Sequence, residues 1–505
     1  MVYGIEVLKY PFWPNNRSMI ESDLLKHMLQ INTWWNNLPV PITIKKSGAR
    51  RKLFFELSDT IARERIIAIT GPRQVGKTTL MGQLIEHQIE NKVPPSRIIY
   101  IPVDNEMLKF YSNPEGVLMG TLTVYSKRIL GEEFSGLDSP VFVYLDEIQD
   151  MPNWAKTIKS YFDTFSNLHF IITGSSHTMI QKGIWESLVG RIRIRTLLPL
   201  KFTEYITFRM NYPKNIEELF VKRIVWPLRT SLRSSVKNND ANQFWSTLER
   251  NRVNLDAYKS MLVGSLRGYL VRGGFPHSIK SVNDIEAGQN LKQDLDLTIY
   301  KDVNRLFKTR DPSKLMELFL IIAKSSGRPF SQNQASKLIN SDWKSVDIFM
   351  SYFEQLFLIT KIKAFGTDES KSTKSDIMYI SDNGIRNIAL SQLRGEVLIE
   401  HLHDLYTTAA ASHITRLKLR FTDYQNGDVY YWEDGTDYIE FIIDYPNTLP
   451  VTVCTEENLR DKKKATMNRF IKNHNAAFGI ILTIDTLEID DKVICMPMWM
   501  FLAIC

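Results

Sequence analysis

Cysteine is scarce. Only three occur in 505 residues (Cys454, Cys495 and Cys505), all near the C-terminus and without metal-ligand spacing. That argues against a disulfide framework and suits a reducing compartment. Long apolar runs are also missing. The most apolar stretch, Val493 to Cys505, is shorter than the roughly 20 residues of a membrane helix and is interrupted by Pro497. It is expected to be a terminal core strand. Met1 to Pro14 has no basic stretch leading into an apolar run, so no secretory signal is expected. No repeat or low-complexity tract stands out. These absences point to a cytoplasmic chain with no membrane partner.

What is present is ordinary for a globular protein: 44% hydrophobic and 24% charged residues. At 505 residues the chain exceeds one compact core, and about three to four domains are expected. The formal net charge of +7 permits an anionic partner. Residues 1–50 mix Trp13, Trp34 and Trp35 with prolines and lead into a basic cluster, Lys45, Lys46, Arg50, Arg51 and Lys52. That cluster reads as a solvated charge run or as part of a nucleic-acid surface.

From about 53 to 205, short β-rich runs alternate with helix-period sequence. Arg65 to Thr70, Arg97 to Val103, Val141 to Leu145 and His169 to Thr173 are the strands. The alternation predicts βαβ units and a parallel sheet covered on both faces. Residues 206–310 read as mostly helical. Residues 313–364 form a helix, helix, helix, strand series. After a polar linker the tail is α/β again: a helix at about 395–410, strands near 428–432, 438–443 and 449–454, a helix at about 459–474, and strands near 478–484 and 491–496.

The most specific motif is Gly71-Pro72-Arg73-Gln74-Val75-Gly76-Lys77-Thr78, which fits G-x-x-x-x-G-K-[ST]. Its glycines let the backbone wrap a phosphate without Cβ clashes, and successive N–H groups point at the anion. A helix starting near Gly76 adds its positive dipole end. Lys77 reaches the β- and γ-phosphates, Thr78 offers its hydroxyl to Mg²⁺, and Thr79 completes the loop. A strand before and a helix after supply the required context. The motif therefore predicts ATP and Mg²⁺ as ligands.

Its partner is Val141-Phe142-Val143-Tyr144-Leu145-Asp146-Glu147, a buried strand ending in two carboxylates. Ligands of parallel sheets gather at C-terminal strand ends. Asp146 is the candidate metal ligand and Glu147 the general base for an attacking water. Arg191-Ile192-Arg193-Ile194-Arg195 alternates with period two, so a strand here would put the isoleucines on the core and the arginines opposite. Arg191 is the first candidate for an arginine finger, in cis or from a neighbouring subunit. The other reading is a solvated arginine face.

The runs GPRQVGKTTL, YLDEIQDMPNW, ITGSS and LVGRIRIRTLLPLKFTEY, followed by YLVRGGFPHSI and LDLTIYKDVNRL, resemble prokaryotic AAA+-like ATPases related to the STAND class. The resemblance implies an α/β P-loop core with a helical lid, a winged helix and a C-terminal domain similar to PD-(D/E)XK nucleases. It divides the chain into an N-terminal extension (1–50), the ATPase core (51–205), the lid region (206–312), the winged-helix-like domain (313–365) and the nuclease-like domain (376–505). It implies that Thr173 or Ser175, at the end of the next strand, senses the γ-phosphate; the alternative is a turn rich in small hydroxyls. It makes Gly274-Phe275-Pro276 a candidate adenine contact, with Pro276 as the touching residue; the alternative is a tight turn between lid helices.

In the winged-helix-like segment, Leu315 to Lys324, Ser331 to Ile339 and Trp343 to Phe357 would be the three helices. The third buries Val346, Phe349, Met350, Phe353 and Leu356 and shows a mixed outer face: Lys344, Ser345, Asp347, Ser351 and Glu354. Lys361, Lys363, Lys371 and Lys374 are candidate backbone contacts. In the tail, Glu440 matches the nuclease family's first acid, but Thr452 stands for its second carboxylate and Cys454 for its lysine. A nuclease-like fold without nuclease activity is expected. Two functions follow: an oligomeric ATPase acting on DNA, or an ATP-gated STAND switch whose output is a protein contact.

Overall fold

The β-rich runs of the N-terminal half become one sheet. The computed structural model describes residues 17–45, 49–103, 116–175, 187–209, 217–303, 311–366, 374–421, 428–444 and 447–505. The chain divides into two units, Met1–Leu198 and Pro199–Cys505.

In the first unit, strands β1 (Ile66–Thr70), β2 (Ile98–Pro102), β3 (Val141–Asp146), β4 (Leu168–Gly174) and β5 (Arg193–Thr196) lie in the order β2-β3-β4-β1-β5. All four pairings are parallel. Every residue of β1, β3 and β4 is buried, as a sheet covered on both faces requires. Helices α1 (Arg17–Ile31), α2 (Lys52–Thr60), α3 (Lys77–Glu90), α4 (Val117–Tyr125) and α5 (Trp154–Thr164) belong to this unit. Residues 17–45 are integral to it. Leu24 and Met28 of α1 join the core of Ile99, Val143 and Ile172. The backbone of edge strand β2 is met by side chains. Asn32 Nδ2 donates to the Tyr100 carbonyl at 3.1 Å, its Oδ1 accepts from the Tyr100 N–H at 2.7 Å, and both Trp34 and Trp35 indoles donate to the Ile98 carbonyl at 3.0 and 2.9 Å.

The second unit opens with helices. They are α6 (Phe202–Arg209), a π-helical stretch (Glu217–Val225) running into α7 (Trp226–Asn238), the long α8 (Ala241–Arg272), α9 (Pro276–Lys280) and α10 (Asp284–Asp296). The polar stretch between α7 and α8 is a helix break. Asn239 is left-handed and Asp240 caps α8 by accepting from the Gln243 N–H. Then follow α11 (Pro312–Lys324), α12 (Gln332–Leu338), α13 (Trp343–Gln355), β6 (Ile359–Ala364) and β7 (Ile377–Ile380). Val346, Phe349, Met350, Phe353 and Leu356 are all buried.

Strand β6 pairs with both β7 and β8, so the segment expected as a winged helix and the tail share one sheet. That sheet has eight strands in the order β12-β13-β11-β10-β9-β8-β6-β7. The later strands are β8 (Asp428–Asp434), β9 (Asp437–Asp444), β10 (Thr448–Val453), β11 (Gly479–Thr483), β12 (Glu488–Asp490) and β13 (Val493–Pro497). They are accompanied by α14 (Asn383–Ala389), α15 (Val397–Glu400), α16 (Leu402–Phe421) and α17 (Arg460–His474).

Two expectations are corrected. The helix placed at 395–410 is a short α15 followed by the longer α16. Val493 to Cys505 is not one strand: β13 ends at Pro497, and Met498–Ile504 forms a last helix, α18, with every residue buried. A continuous apolar run carries no period to separate strand from helix. Pro497, whose ring cannot donate to a ladder, sits at the switch as the N-cap.

Candidate functional site

The two motifs meet because of strand order. Strand β4 lies between β1 and β3, and strands are spaced about 4.8 Å apart. The backbones at the ends of β1 and β3 therefore sit about 10 Å apart with β4 between them, a gap that side chains can span. Thr173, near the end of β4, fills that gap and is completely buried.

The loop is held by backbone constraints that only glycine meets. Gly71 has a φ of 153°, and a Cβ there would lie 2.0 Å from the Leu197 carbonyl oxygen. Gly76 has a φ of 98° and directly precedes α3. Pro72 and Val75 are buried, Arg73 and Thr79 half-buried, and Gln74 exposed with a φ of 59°. Lys77, only 4% exposed, donates to the carbonyls of Gly71 and Pro72, each at 3.0 Å. Its ammonium is 3.8 Å from Glu147 Oε1.

Around Asp146 the side chains form one hydrogen-bonded chain. Thr78 Oγ1 donates to Asp146 Oδ2 at 2.7 Å, and the Tyr100 hydroxyl donates to the same oxygen at 2.8 Å. Thr173 Oγ1 donates to Asp146 Oδ1 and accepts from the Glu147 N–H at 2.9 Å. Glu147 is left-handed, with a φ of 54°, and that contact fixes its peptide. Gln149 Nε2 donates to Glu147 Oε2 at 2.5 Å and lies 3.4 Å from Ser175 Oγ. Thr173 and Ser175 thus both reach the carboxylate pair, Thr173 directly and Ser175 through Gln149. Tyr100 and Gln149 were not foreseen. Tyr100 arrives from β2 by cross-strand register (Pro102 opposite Asp146), which a single strand's sequence does not carry.

Arg191 lies elsewhere. It precedes β5, whose parallel register puts Arg193 beside Ile67 near the start of β1. The phosphate-binding loop follows the other end of β1, roughly 13 Å or more away at about 3.3 Å per residue. Arg191 Nε donates to Asp163 at 3.2 Å, and the side chain is 36% exposed. It is therefore not part of its own chain's loop site, which corrects the in-cis alternative. The alternation itself is present: Ile192 and Ile194 pack on the core, Arg193 is exposed, and Arg195 pairs with Glu64 at 3.0 Å.

The basic cluster is spent within the first unit. Lys45 pairs with Glu86, Arg50 lies 3.7 Å from Glu90, and Lys52 pairs with Glu56 at 3.1 Å. Arg51 donates to the Val75 carbonyl of the loop at 3.3 Å, and Gln83 of α3 donates to the Ala49 carbonyl at 2.9 Å. Lys46 lies outside the described residues. Its described residues thus make contacts along α3 and to the loop, with Arg50 and Lys52 still partly exposed.

In the second unit, Pro276 is the first residue of α9, following a turn fastened by the buried Asp382. The Gly274 N–H donates to Asp382 Oδ2 at 2.7 Å, and the Gly274 carbonyl accepts from the Leu200 N–H at 2.7 Å. Lys361 pairs with Asp376 at 2.8 Å, and Lys374 donates to the Glu433 carbonyl at 2.6 Å. Lys371 lies outside the described residues.

Glu440 on β9 is 3% exposed and accepts from Thr452 of neighbouring β10. Lys463, from α17, donates to Glu440 Oε1 at 3.0 Å and to Thr452 Oγ1 at 2.9 Å. The strand lacks the lysine, yet an ammonium stands at the carboxylate. It comes from a helix whose approach the strand's spacing cannot reveal. Burial raises the Cys454 thiol above its usual range.

With this geometry in place, comparison with known proteins bears on one segment. Residues 63–206 match the family model described as an AAA domain. This segment is similar to AAA-type P-loop domains. Residues 263–396, from within α8 to just beyond α14, match a domain of unknown function (DUF8612). An uncharacterized protein of Methanocaldococcus jannaschii is 24% identical over 408 residues, covering 79% of this chain and 77% of its own length. Among solved structures, a Walker-type ATPase of Pyrococcus abyssi is similar at 14% identity and a TM-score of 0.39, covering 70% of this chain and 99% of its own. A Holliday junction branch migration motor of Thermotoga maritima gives 13% identity and a TM-score of 0.25, with 65% and 92% covered. Among the described residues, no helix is long and apolar enough to cross a membrane.

Proposed function

We propose that the chain hydrolyses Mg-ATP in the AAA domain and works on DNA. The observation that carries the first half is the chain Thr78–Asp146–Thr173–Glu147 beside a glycine-bounded loop. Loop amides from Gly71 to Thr79 bind the phosphates, and Lys77 turns from the Gly71 and Pro72 carbonyls to the β- and γ-phosphates. Thr78 and Asp146 supply two hard oxygen donors already 2.7 Å apart, a set that suits Mg²⁺, which keeps several waters besides. The ion, when bound, offsets charge developing on the phosphates. Glu147 accepts the proton of the attacking water, with Thr173 holding its backbone and Gln149 and Ser175 its side chain.

Several features support a DNA partner and assembly. The net charge is +7. Helices α11, α12 and α13 lead into strands in winged-helix order. Arg191, half-exposed and paired with Asp163, is read as a finger offered to a neighbouring subunit. The three cysteines form no disulfide, which suits the cytoplasm. In the tail, the reading of no nuclease activity now rests on the missing second carboxylate alone, since Lys463 supplies an ammonium. Metal-dependent cleavage that disappears in Glu440→Ala would overturn it.

A second reading, the ATP-gated STAND switch, is favoured by one contact. Gln149 holds the Glu147 carboxylate at 2.5 Å, restraining the base. Titration of Mg-ATP into parent and Lys77→Ala protein tests the common premise: the variant loses tight binding, and equal affinity sinks both readings. Turnover with and without DNA then separates them, stimulation supporting the motor and ATP-dependent oligomer size without stimulation supporting the switch.

A further inference from the structure

A groove of about 450 Å³ runs between the π-helical stretch with α7 and the facing α8. One wall repeats every fourth residue: Lys222, Trp226, Thr230 and Ser234. Residues four apart stack on one helix face, so these four form a stripe about 18 Å long. The other wall presents Thr247 and Arg250 of α8. The floor is fastened by Ser231 Oγ, which donates to Thr247 Oγ1 at 2.9 Å.

Chemistry along the groove is one-signed. Lys222 and Arg250 lie at the end away from the α7–α8 turn, hydroxyls line the rest, and none of the nine lining residues is acidic. Trp226 is 58% exposed, a large aromatic face left in water beside the two cations. The second groove of comparable size, about 550 Å³, differs. It carries a carboxylate, Asp296, which lies 3.3 Å from Lys292, whereas Lys301 is its other cation.

We propose that the Lys222–Trp226–Arg250 groove binds a single nucleic-acid strand. The indole stacks on a base, the two cations sit on flanking phosphates, and the hydroxyls contact the backbone. Cation plus aromatic plus hydroxyl, with no carboxylate among the groove's nine lining residues, is the combination that sequence-tolerant strand binding uses. A duplex buries its base faces in the stack and offers the indole nothing. The proposal deepens the nucleic-acid half of the function above and is independent of the nucleotide site.

The test is fluorescence anisotropy of the full chain with a fluorescein-labelled 20-nucleotide oligothymidine and with a duplex of equal length, across a salt series. Trp226→Ala is expected to weaken oligothymidine binding by about 5- to 150-fold, the loss of one stacked base. Lys222→Ala/Arg250→Ala is expected to reduce the salt slope of log K by about 1.4, two phosphate contacts at about 0.7 each. Both variants should bind Mg-ATP like the parent, which also reports that they are folded. If the parent binds the oligonucleotide and both variants match it in affinity and slope, the groove is refuted while the DNA reading stands. A parent that binds neither probe refutes both. Equal loss on duplex and single strand refutes the stacking role.

Discussion

Thr173→Val isolates the contact on which the nucleotide site depends. The substitution keeps side-chain shape and removes one hydroxyl. That hydroxyl currently serves Asp146 Oδ1 as donor and the Glu147 N–H as acceptor, in a fully buried position. Asp146 retains donors in Thr78 and Tyr100, whereas the Glu147 N–H loses the Thr173 hydroxyl as its acceptor. Removing that acceptor costs about 1–3 kcal/mol, and the lost bond to a carboxylate adds about 1.5 kcal/mol, so about 2.5–4.5 kcal/mol is expected. For a unit of this size, about 2–4 °C per kcal/mol gives a fall in melting temperature of roughly 5–18 °C. Turnover is expected to drop about 10- to 100-fold, as when an outer partner of a metal carboxylate is lost. Below the melting range, steady-state phosphate release measures the second effect and differential scanning fluorimetry the first. Thr173→Ser, which restores the hydroxyl, should recover most of both. Valine protein with parental melting and turnover within twofold would refute the reasoning.

Gly71→Ala drives a methyl into the Leu197 carbonyl, whereas at Gly76 a methyl would make only an ordinary contact, 4.0 Å from the Thr79 Cβ, and suffer from the positive φ. Calorimetric titration with a non-hydrolysable ATP analogue should rank Gly71→Ala well below Gly76→Ala, and the reverse order would contradict the loop geometry. Arg191→Ala should leave ATP affinity within about twofold, and mixing it with Lys77→Ala protein should restore turnover if the finger acts between subunits; a tenfold loss of ATP affinity would place the residue in its own site after all. His413, fully buried, accepts the Phe202 N–H at Nε2 (3.1 Å) and donates from Nδ1 to the Ala409 carbonyl (2.9 Å). Burial pushes its imidazole well below the usual range. Its folded pKa being depressed, the stability it contributes is present above about pH 6.5 and is lost as pH falls through the folded value. Thermal melts at pH 7, 6 and 5 should slope less steeply for His413→Gln than for the parent, and identical slopes would exclude His413 as a cause.

The loop and the Asp146–Glu147 strand end were legible because their residue types are demanded locally: positive φ at Gly71 and Gly76, and a fully buried β3 ending in carboxylates. The arginine–isoleucine alternation of 191–195 was legible for the same reason. What escaped depended on register or on partners far along the chain. Tyr100 reaches Asp146 across a strand pairing, and Lys463 reaches Glu440 from a separate helix. The Lys45–Lys52 cluster looked like a surface because its countercharges, Glu86 and Glu90, lie on a helix 34 or more residues later. The terminal apolar run concealed a strand-to-helix switch, since burial on every side erases both periods.

Asn32 has a further consequence. It grips the backbone of Tyr100 in both directions, while the hydroxyl of Tyr100 donates to the Asp146 carboxylate. The outer rim of the sheet is thus sealed by side chains mimicking one more strand, which denies that rim to a β-addition partner. The seal and the Asp146 carboxylate share a single tyrosine. Peeling the first forty residues away would therefore bare a sticky border and loosen the engine in one stroke.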